Sequence, residues 1–307
     1  MRTTMLIVLG ALVCCVLGSG AATAGGGGGT PGLIVTADFD GDGRTDVGVY
    51  EVATGNWFIR ATTDGFMTVA NFGGPDFLPV PADYDGDGSA DVAVYDQTNG
   101  DWFVFGTTSG FVATPSFGGA GFVPVPADYD GDGQDDVAVY DASAAAWFIL
   151  QSQAGFTSVA GFGGPNFVPV AADYDGDGRA DVAVYDDTNG DWFIAQSQDG
   201  FRAIPSFGGS TFVPVPAQFD ADTAADVAVY DPSVGAWFVL ESSTTNLAIT
   251  AGFGGSGFSP VPGDYDGDAT VDLGVYEAAA GNWFLLNSTD PFEIVPSFGG
   301  TGFSPAR

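Results

Sequence analysis

The run DYDGDGSADVAVYD that begins at Asp83 recurs along almost the whole chain. Its leading position is taken by Asp38, Asp83, Asp128, Asp173, Gln218 and Asp264, at intervals of 45, 45, 45, 45 and 46 residues. A period of this kind marks one supersecondary unit that cannot bury its apolar face alone and must stack on its neighbours. Units of about 40 to 50 residues are the size of propeller blades, longer than leucine-rich or ankyrin repeats. Six copies in 307 residues therefore predict one closed body. The expected fold is all-β, a six-bladed β-propeller with about 45 residues and four antiparallel strands per blade.

The second copy shows how a blade is written. Phe77-Leu-Pro-Val-Pro-Ala is a short extended run with prolines at 79 and 81. In a strand those two residues aim their amides at the same edge, so that edge lacks donors and belongs at a sheet border. In a propeller this border is the innermost strand, beside the central channel. The pair recurs at Pro124/Pro126, Pro214/Pro216 and Pro260/Pro262, with Pro169 alone in the fourth copy. Asp91-Val-Ala-Val-Tyr95 alternates as a second strand, and Asp96 to Gly100 has turn chemistry. Trp102 to Phe105 is the third strand and Phe111 to Thr114 the fourth, before Phe117-Gly-Gly119 leads into the next unit. The last copy runs on to Phe303-Ser-Pro305, the start of a seventh inner strand, whereas the first opens at Gly32 in place of phenylalanine. Phe303 is expected to pack beside the first blade there, the alternative being a frayed tail.

Between the first two strands lies D-x-D-x-D-G-x-x-D. Calcium takes six to eight oxygens in a flexible loop, and this pattern offers carboxylates at positions 1, 3, 5 and 9 and a carbonyl at 7. The candidate ligands are Asp38, Asp40, Asp42 and Asp46 with the carbonyl of Arg44; Asp83, Asp85, Asp87 and Asp91 with Ser89; and Asp128, Asp130, Asp132 and Asp136 with Gln134. The set continues with Asp173, Asp175, Asp177 and Asp181 with Arg179, and Asp264, Asp266, Asp268 and Asp272 with Thr270. About five calcium sites are expected, magnesium being a poorer match because it keeps its waters. The fifth loop, from Gln218 to Asp226, has lost its first carboxylate and both glycines, so it should bind weakly or stay empty. The sixth has Ala269 at the glycine position and should be strained.

The 39 acidic residues face six basic ones, and the net charge is -33. Self-repulsion on that scale destabilises a compact fold unless counter-ions offset it. Nucleic acid is thus excluded as a partner, and divalent cations are favoured. Arg2, the apolar run Met5 to Leu17 and Ala22-Thr-Ala24 read as a secretory signal over residues 1–24, too short for a membrane span. Residues 25–32 form a glycine-rich spacer, and the propeller is expected over 33–307. Both cysteines, Cys14 and Cys15, fall in the signal, so the mature chain would lack disulfides outside the cell, and metal ions are their natural replacement.

The aspartate loops, the FGG segments and the PVPADYDGDG run, recurring in one order over residues 33–307, resemble FG-GAP or VCBS-type repeats, the calcium-bound blades also found in integrin alpha chains. The resemblance implies calcium in the hairpin between the first two strands of each blade, and extracellular adhesion or ligand binding. Six copies instead of the seven of integrin propellers, and the Gln218 loop, depart from the pattern.

Trp57, Trp102, Trp147, Trp192, Trp237 and Trp283 each precede a phenylalanine. Strand alternation sends the two rings to opposite faces, into successive blade interfaces; the other reading is a set of exposed rings that stack on sugars. Glu51, Asp96, Asp141, Asp186, Asp231 and Glu277 read as turn caps, and Asp101 and Asp191 as exposed turn residues. No histidine, lysine or mature cysteine is available as base or nucleophile, and the unrepeated residues Arg60, Arg202, Glu241, Asp290 and Glu293 lie in different blades. The chain is therefore expected to be non-catalytic: a secreted or cell-surface calcium-binding module with a protein or glycan ligand. Two alternatives stand beside adhesion, a multivalent propeller lectin and a matrix component.

Overall fold

The computed structural model describes residues 32–305. The leader expected over 1–24 and nearly all of the spacer lie outside them. Gly32, assigned to that spacer, is instead the first residue of a strand. Among the described residues every regular element is a strand, arranged in six sheets with one sheet per repeat. In blade one the strands are Gly32–Ala37, Asp46–Glu51, Asn56–Ala61 and Gly65–Val69. They run antiparallel in sequence order from the channel outwards.

The inner strands of the later blades are shorter than the sequence suggests. In blade two only Phe77–Pro79 is continuous, and the ladder resumes at an isolated bridge between Ala82 and Asp91. The second strand there is Val92–Asp96. The amides explain the prolines. Val80 donates to the Ala93 carbonyl, as Val125, Val170, Val215 and Val261 do to their counterparts. The flanking residues 79 and 81 therefore direct their nitrogens at the free inner edge, where proline leaves no donor to satisfy.

The apolar core is six cores, one at each blade junction. Trp192 packs with Ala225, Val227 and Val229 of the following blade, and Phe193 lies against the Tyr140 and Trp147 cluster of the preceding one. Trp and Phe thus face opposite junctions, as strand alternation requires. All six tryptophans are at most 1% exposed, which removes the reading of them as exposed sugar platforms. Most indole nitrogens are also engaged, Trp57 Nε1 donating to the Phe72 carbonyl at 3.0 Å.

The FGG turn is locked by the second-strand tyrosine. Tyr50 Oη receives the Gly74 N–H at 2.7 Å and donates to the Gly74 carbonyl, and a Cβ on Gly73, at φ 117°, would collide with that hydroxyl. The tyrosine and glycine contact recurs in every blade, at Gly118, Gly163, Gly208, Gly254 and Gly299.

The ring closes through Phe303–Pro305, which adds a fifth strand to blade one, parallel to its inner strand, with Gly32 opposite Phe303 and Ile34 opposite Pro305. Phe303 packs on the core shared by blades six and one, together with Phe58.

Candidate metal centres

Each aspartate loop joins the inner and second strands and is built the same way. Asp38, at position 1, folds the loop around itself: its carboxylate accepts N–H groups from Gly41 at 2.7 Å, Asp42 at 3.2 Å and Gly43 at 2.8 Å. Asp46, at position 9, is 1% exposed and accepts from Phe39 and from Thr62. Asp42, at position 5, accepts the hydroxyls of Thr62 and Thr63. The turn between the third and outer strands therefore clasps the loop from outside, and the reading of the sequence missed it. A hydroxyl residue recurs there, as Thr107, Ser152, Ser197, Ser242 and Ser288.

Position 3 is different. Asp40 Oδ2 accepts the N–H groups of Thr63 and Asp64, both at 2.8 Å, while its Oδ1 is buried with no hydrogen-bond partner. The same atom is unpartnered in Asp85, Asp130, Asp175 and Asp266. A buried carboxylate oxygen without a donor is costly, and a cation is the partner that such an atom lacks. In loops two, three, four and six the oxygens of positions 1, 3 and 9 lie within 4.8 Å of one another: Asp83, Asp85 and Asp91; Asp128, Asp130 and Asp136; Asp173, Asp175 and Asp181; Asp264, Asp266 and Asp272. In loop one the gathered residues are Asp38, Asp40 and Asp42, leaving Asp46 aside. The position-5 residues Asp87, Asp132, Asp177 and Asp268 stand outside these clusters, held by the clasping turn. The donor set, hard oxygens converging on an orphaned one, fits calcium.

The electrostatics agree. Burial, with the repulsion of Asp40 and Asp38, pushes Asp46 up to about 7. The same causes push Asp91, Asp136, Asp181 and Asp272 up to about 6. Burial also raises Asp38, Asp83, Asp173 and Asp264 at position 1.

The fifth loop ties down its own carboxylates, although the Gln218 Oε1 is left buried without a partner. The Gln218 amide donates to the carbonyls of Asp220 and Asp222, the latter at 2.6 Å. Asp220 accepts from Ser243, Asp222 from Ala224 and Ser242, and Asp226 from Phe219 and Ser242. None of its carboxylate oxygens is among the orphaned atoms. In the sixth loop Ala269 sits at φ 69°, the left-handed region in which a non-glycine residue is strained. Its N–H still reaches Asp264 at 2.8 Å.

The six loops are also joined to one another. The position-8 N–H of each loop donates to the position-1 carbonyl of the preceding blade: Ala90 to Asp38, Asp135 to Asp83, Ala180 to Asp128, Ala225 to Asp173, Val271 to Gln218 and Thr45 to Asp264, all at 2.6 or 2.7 Å. The second acidic ring caps turns as expected, Asp96 accepting from Thr98 and Asn99, which holds its carboxyl below the usual range despite burial. Asp101 and Asp191, expected to be plain turn residues, accept the N–H groups of Ser116 and Ser206. On the outer strands Phe66, Phe111, Phe156 and Phe201, and just before the last of them Phe292, are 49–67% exposed and mark five of the six blades. The recurrent phenylalanine that opens the fourth strand was the signal for them.

No curated protein sequence matches the chain. Solved structures that resemble it include a lectin and a lyase. A lectin of Agrocybe aegerita, described by its specific recognition of non-reducing terminal N-acetylglucosamine, aligns over 88% of this chain and 81% of its own at 19% identity and a TM-score of 0.59. A streptogramin B lyase aligns over 87% and 83% at 8% identity and a TM-score of 0.55. At such identities the likeness is one of fold. The sequence model of the FG-GAP-like repeat matches residues 83–139 and 128–184. With that match falling on the aspartate loops themselves, the adjacent repeats between residues 83 and 184 are FG-GAP-like repeats of a six-bladed β-propeller.

Proposed function

We propose that the chain is a secreted, non-catalytic, calcium-binding propeller that works as an extracellular adhesion or ligand-binding module. The observation that carries the calcium reading is the buried, unpartnered Oδ1 of Asp40, Asp85, Asp130, Asp175 and Asp266, absent from the loop that lost its first carboxylate. Calcium would sit among positions 1, 3 and 9, or 1, 3 and 5 in the first loop, and replace repulsion between carboxylates by attraction to a shared cation. The chain's own part is to hold those oxygens in place, through the N–H groups on position 1 and the clasping turn on positions 3 and 5. Because the loops are hydrogen-bonded in a ring, an ion in one loop would also steady the next. Extracellular sites of this kind bind with dissociation constants on the order of 0.1–1 mM. Calorimetric titration of the purified chain tests the reading: about five calcium ions are expected per molecule, and no uptake would overturn it.

The exposed phenylalanines favour a second reading, a multivalent glycan binder. Phe58 and Phe66 stack at 6.3 Å, and Phe103 and Phe111, Phe193 and Phe201, and Phe284 and Phe292 repeat the arrangement. Aromatic faces offered to solvent at regular spacing suit stacking on sugar rings. The lectin with a similar fold is consistent with such a use. Glycan-array binding that is lost in Phe111→Ala and Phe201→Ala proteins of unchanged melting temperature would establish it.

A further inference from the structure

The junction of the last and first blades holds a cavity of about 240 Å³ that breaks the internal symmetry. Arg60 stands on the third strand of blade one, directly opposite Val47 in register and so on the same face. Val47 belongs to the core shared with Leu285 and Val295 of blade six, which means that this face looks towards blade six. Glu293 lies opposite Leu285 on the outer strand of blade six and looks back. Both side chains line the cavity, along with Arg44, Thr62 and Tyr265. Two residues that the sequence placed in different blades without convergence therefore line one cavity at the seam.

The combination occurs once. Positions equivalent to Arg60 carry Phe105, Leu150, Ala195, Leu240 and Leu286, and those equivalent to Glu293 carry Met67, Val112, Thr157, Arg202 and Ala248. Arg44 is held in place by its stem, which runs over Gly267 of the sixth loop. Among the described residues neither Arg44 nor Arg60 closes an ion pair. With the charge of Arg44 acting on Asp42, whose carboxylate holds the Thr62 hydroxyl, Arg60 and Glu293 are the opposite charges that remain on the cavity wall.

We propose that this cavity binds a small hydroxylated monocarboxylate, of the class of a uronic acid monosaccharide. The Arg60 guanidinium fork, which closes no ion pair of its own among the described residues, can take a carboxylate in two parallel hydrogen bonds. Glu293 and the Thr62 hydroxyl accept from ligand hydroxyls, while Leu285 and Val295 offer an apolar wall to the ring. The volume suits one sugar ring.

The test is calorimetric titration of D-glucuronate into the calcium-loaded chain at low ionic strength, with D-glucose as the neutral control. Saturable binding of one glucuronate and none of glucose is expected. Arg60→Leu, which installs the side chain found at 150, 240 and 286, should weaken it at least about tenfold with the melting temperature retained, the loss expected for a charge-assisted hydrogen bond. Arg60→Gln serves as the second variant if the first folds poorly. Absence of binding overturns the proposal. Equal binding by the Arg60 variants also overturns it, because the sugar acid would then sit on loop-bound calcium. A lowered melting temperature in those variants without any glucuronate binding by the parent overturns it too, leaving Arg60 and Glu293 as a cross-seam charge pair. Calcium uptake is measured on the same material, so failure here is separable from failure of the metal reading.

Discussion

Phe303 lies beside Gly32, residue against residue, in the parallel pair of strands that closes the ring. Five blades carry proline on the free edge of the inner strand, whereas blade one has Ile34 and Thr36 at those positions. Its edge therefore keeps its amide donors and can accept another strand, and the last residues of the chain supply one. Proline at 79, 124, 169, 214 and 260 bars the same addition elsewhere.

Removing residues 301–307 should lower the melting temperature by several degrees, and Phe303→Ala should cost about 1–3 kcal/mol through lost burial. Ile34→Pro should reproduce much of the effect by silencing the accepting edge. Thermal unfolding followed by circular dichroism is the measurement; unchanged transitions in all three would show that the fifth strand contributes nothing.

Alanine in place of Asp85 or Asp175 should remove one calcium site each, so that five ions per molecule become four. Calcium at 100 times its dissociation constant is expected to stabilise each intact site by about 2.7 kcal/mol. Calorimetric stoichiometry, set beside melting with and without chelator, reads both effects.

Gln218→Leu should behave in the opposite way. It breaks two hydrogen bonds from the amide to backbone carbonyls. The expected cost is about 1–3 kcal/mol, the same in calcium and in chelator. A cost confined to the calcium-loaded protein would mean that this loop binds metal after all.

The position-9 aspartates give the metal-free protein a pH dependence of known sign. Their folded-state pKa values are raised, to about 7 for Asp46 and about 6 for Asp91, Asp136, Asp181 and Asp272, from an ordinary 3.8. A folded state that holds its protons more tightly is fully favoured by them below pH 3.8, and that contribution is lost as pH rises through 6 to 7. In chelator the chain should melt at a lower temperature at pH 8 than at pH 5, with the difference closing when calcium is added. A higher melting temperature at pH 8 in chelator would contradict this.

Ser116 sits at φ 56° and its N–H is held by Asp101 at 2.8 Å. Asn56 with Asn71, Asp191 with Ser206 and Asn282 with Ser297 repeat the pair. Where the capping side chain is missing, at Ala146 and Ala236, the left-handed residue is Gly161 or Gly252. Asp101→Ala should therefore cost about 1 kcal/mol, and Ser116→Gly should restore most of it, because glycine adopts that conformation unaided. A double-mutant cycle by chemical denaturation measures the coupling. Strict additivity would refute it.

Much of this fold is legible in the sequence. The spacing from Asp83 to Asp128 shows a blade, Val92 to Tyr95 a strand, Pro79 and Pro81 an inner edge, and Gln218 an altered loop, because each is a local or periodic property. The missing prolines at Ile34 and Thr36 were equally open to view, yet they acquire meaning only once Phe303 is seen to need an edge. The lengths of the inner strands were less legible, since their ladder breaks where the aspartate loop begins.

What the chain order alone determined was the repeat: six units, their strand sequence, their turns and the aspartates set between the first two strands of each. These follow from backbone preferences and side-chain alternation within a few residues. The tertiary structure alone decided which ring faces which junction, which aspartate oxygen is left without a donor, and that Arg60 and Glu293 line one cavity at the seam. Those facts depend on the angle and distance at which one blade stacks on the next, a relation between residues far apart in the chain that no local pattern carries.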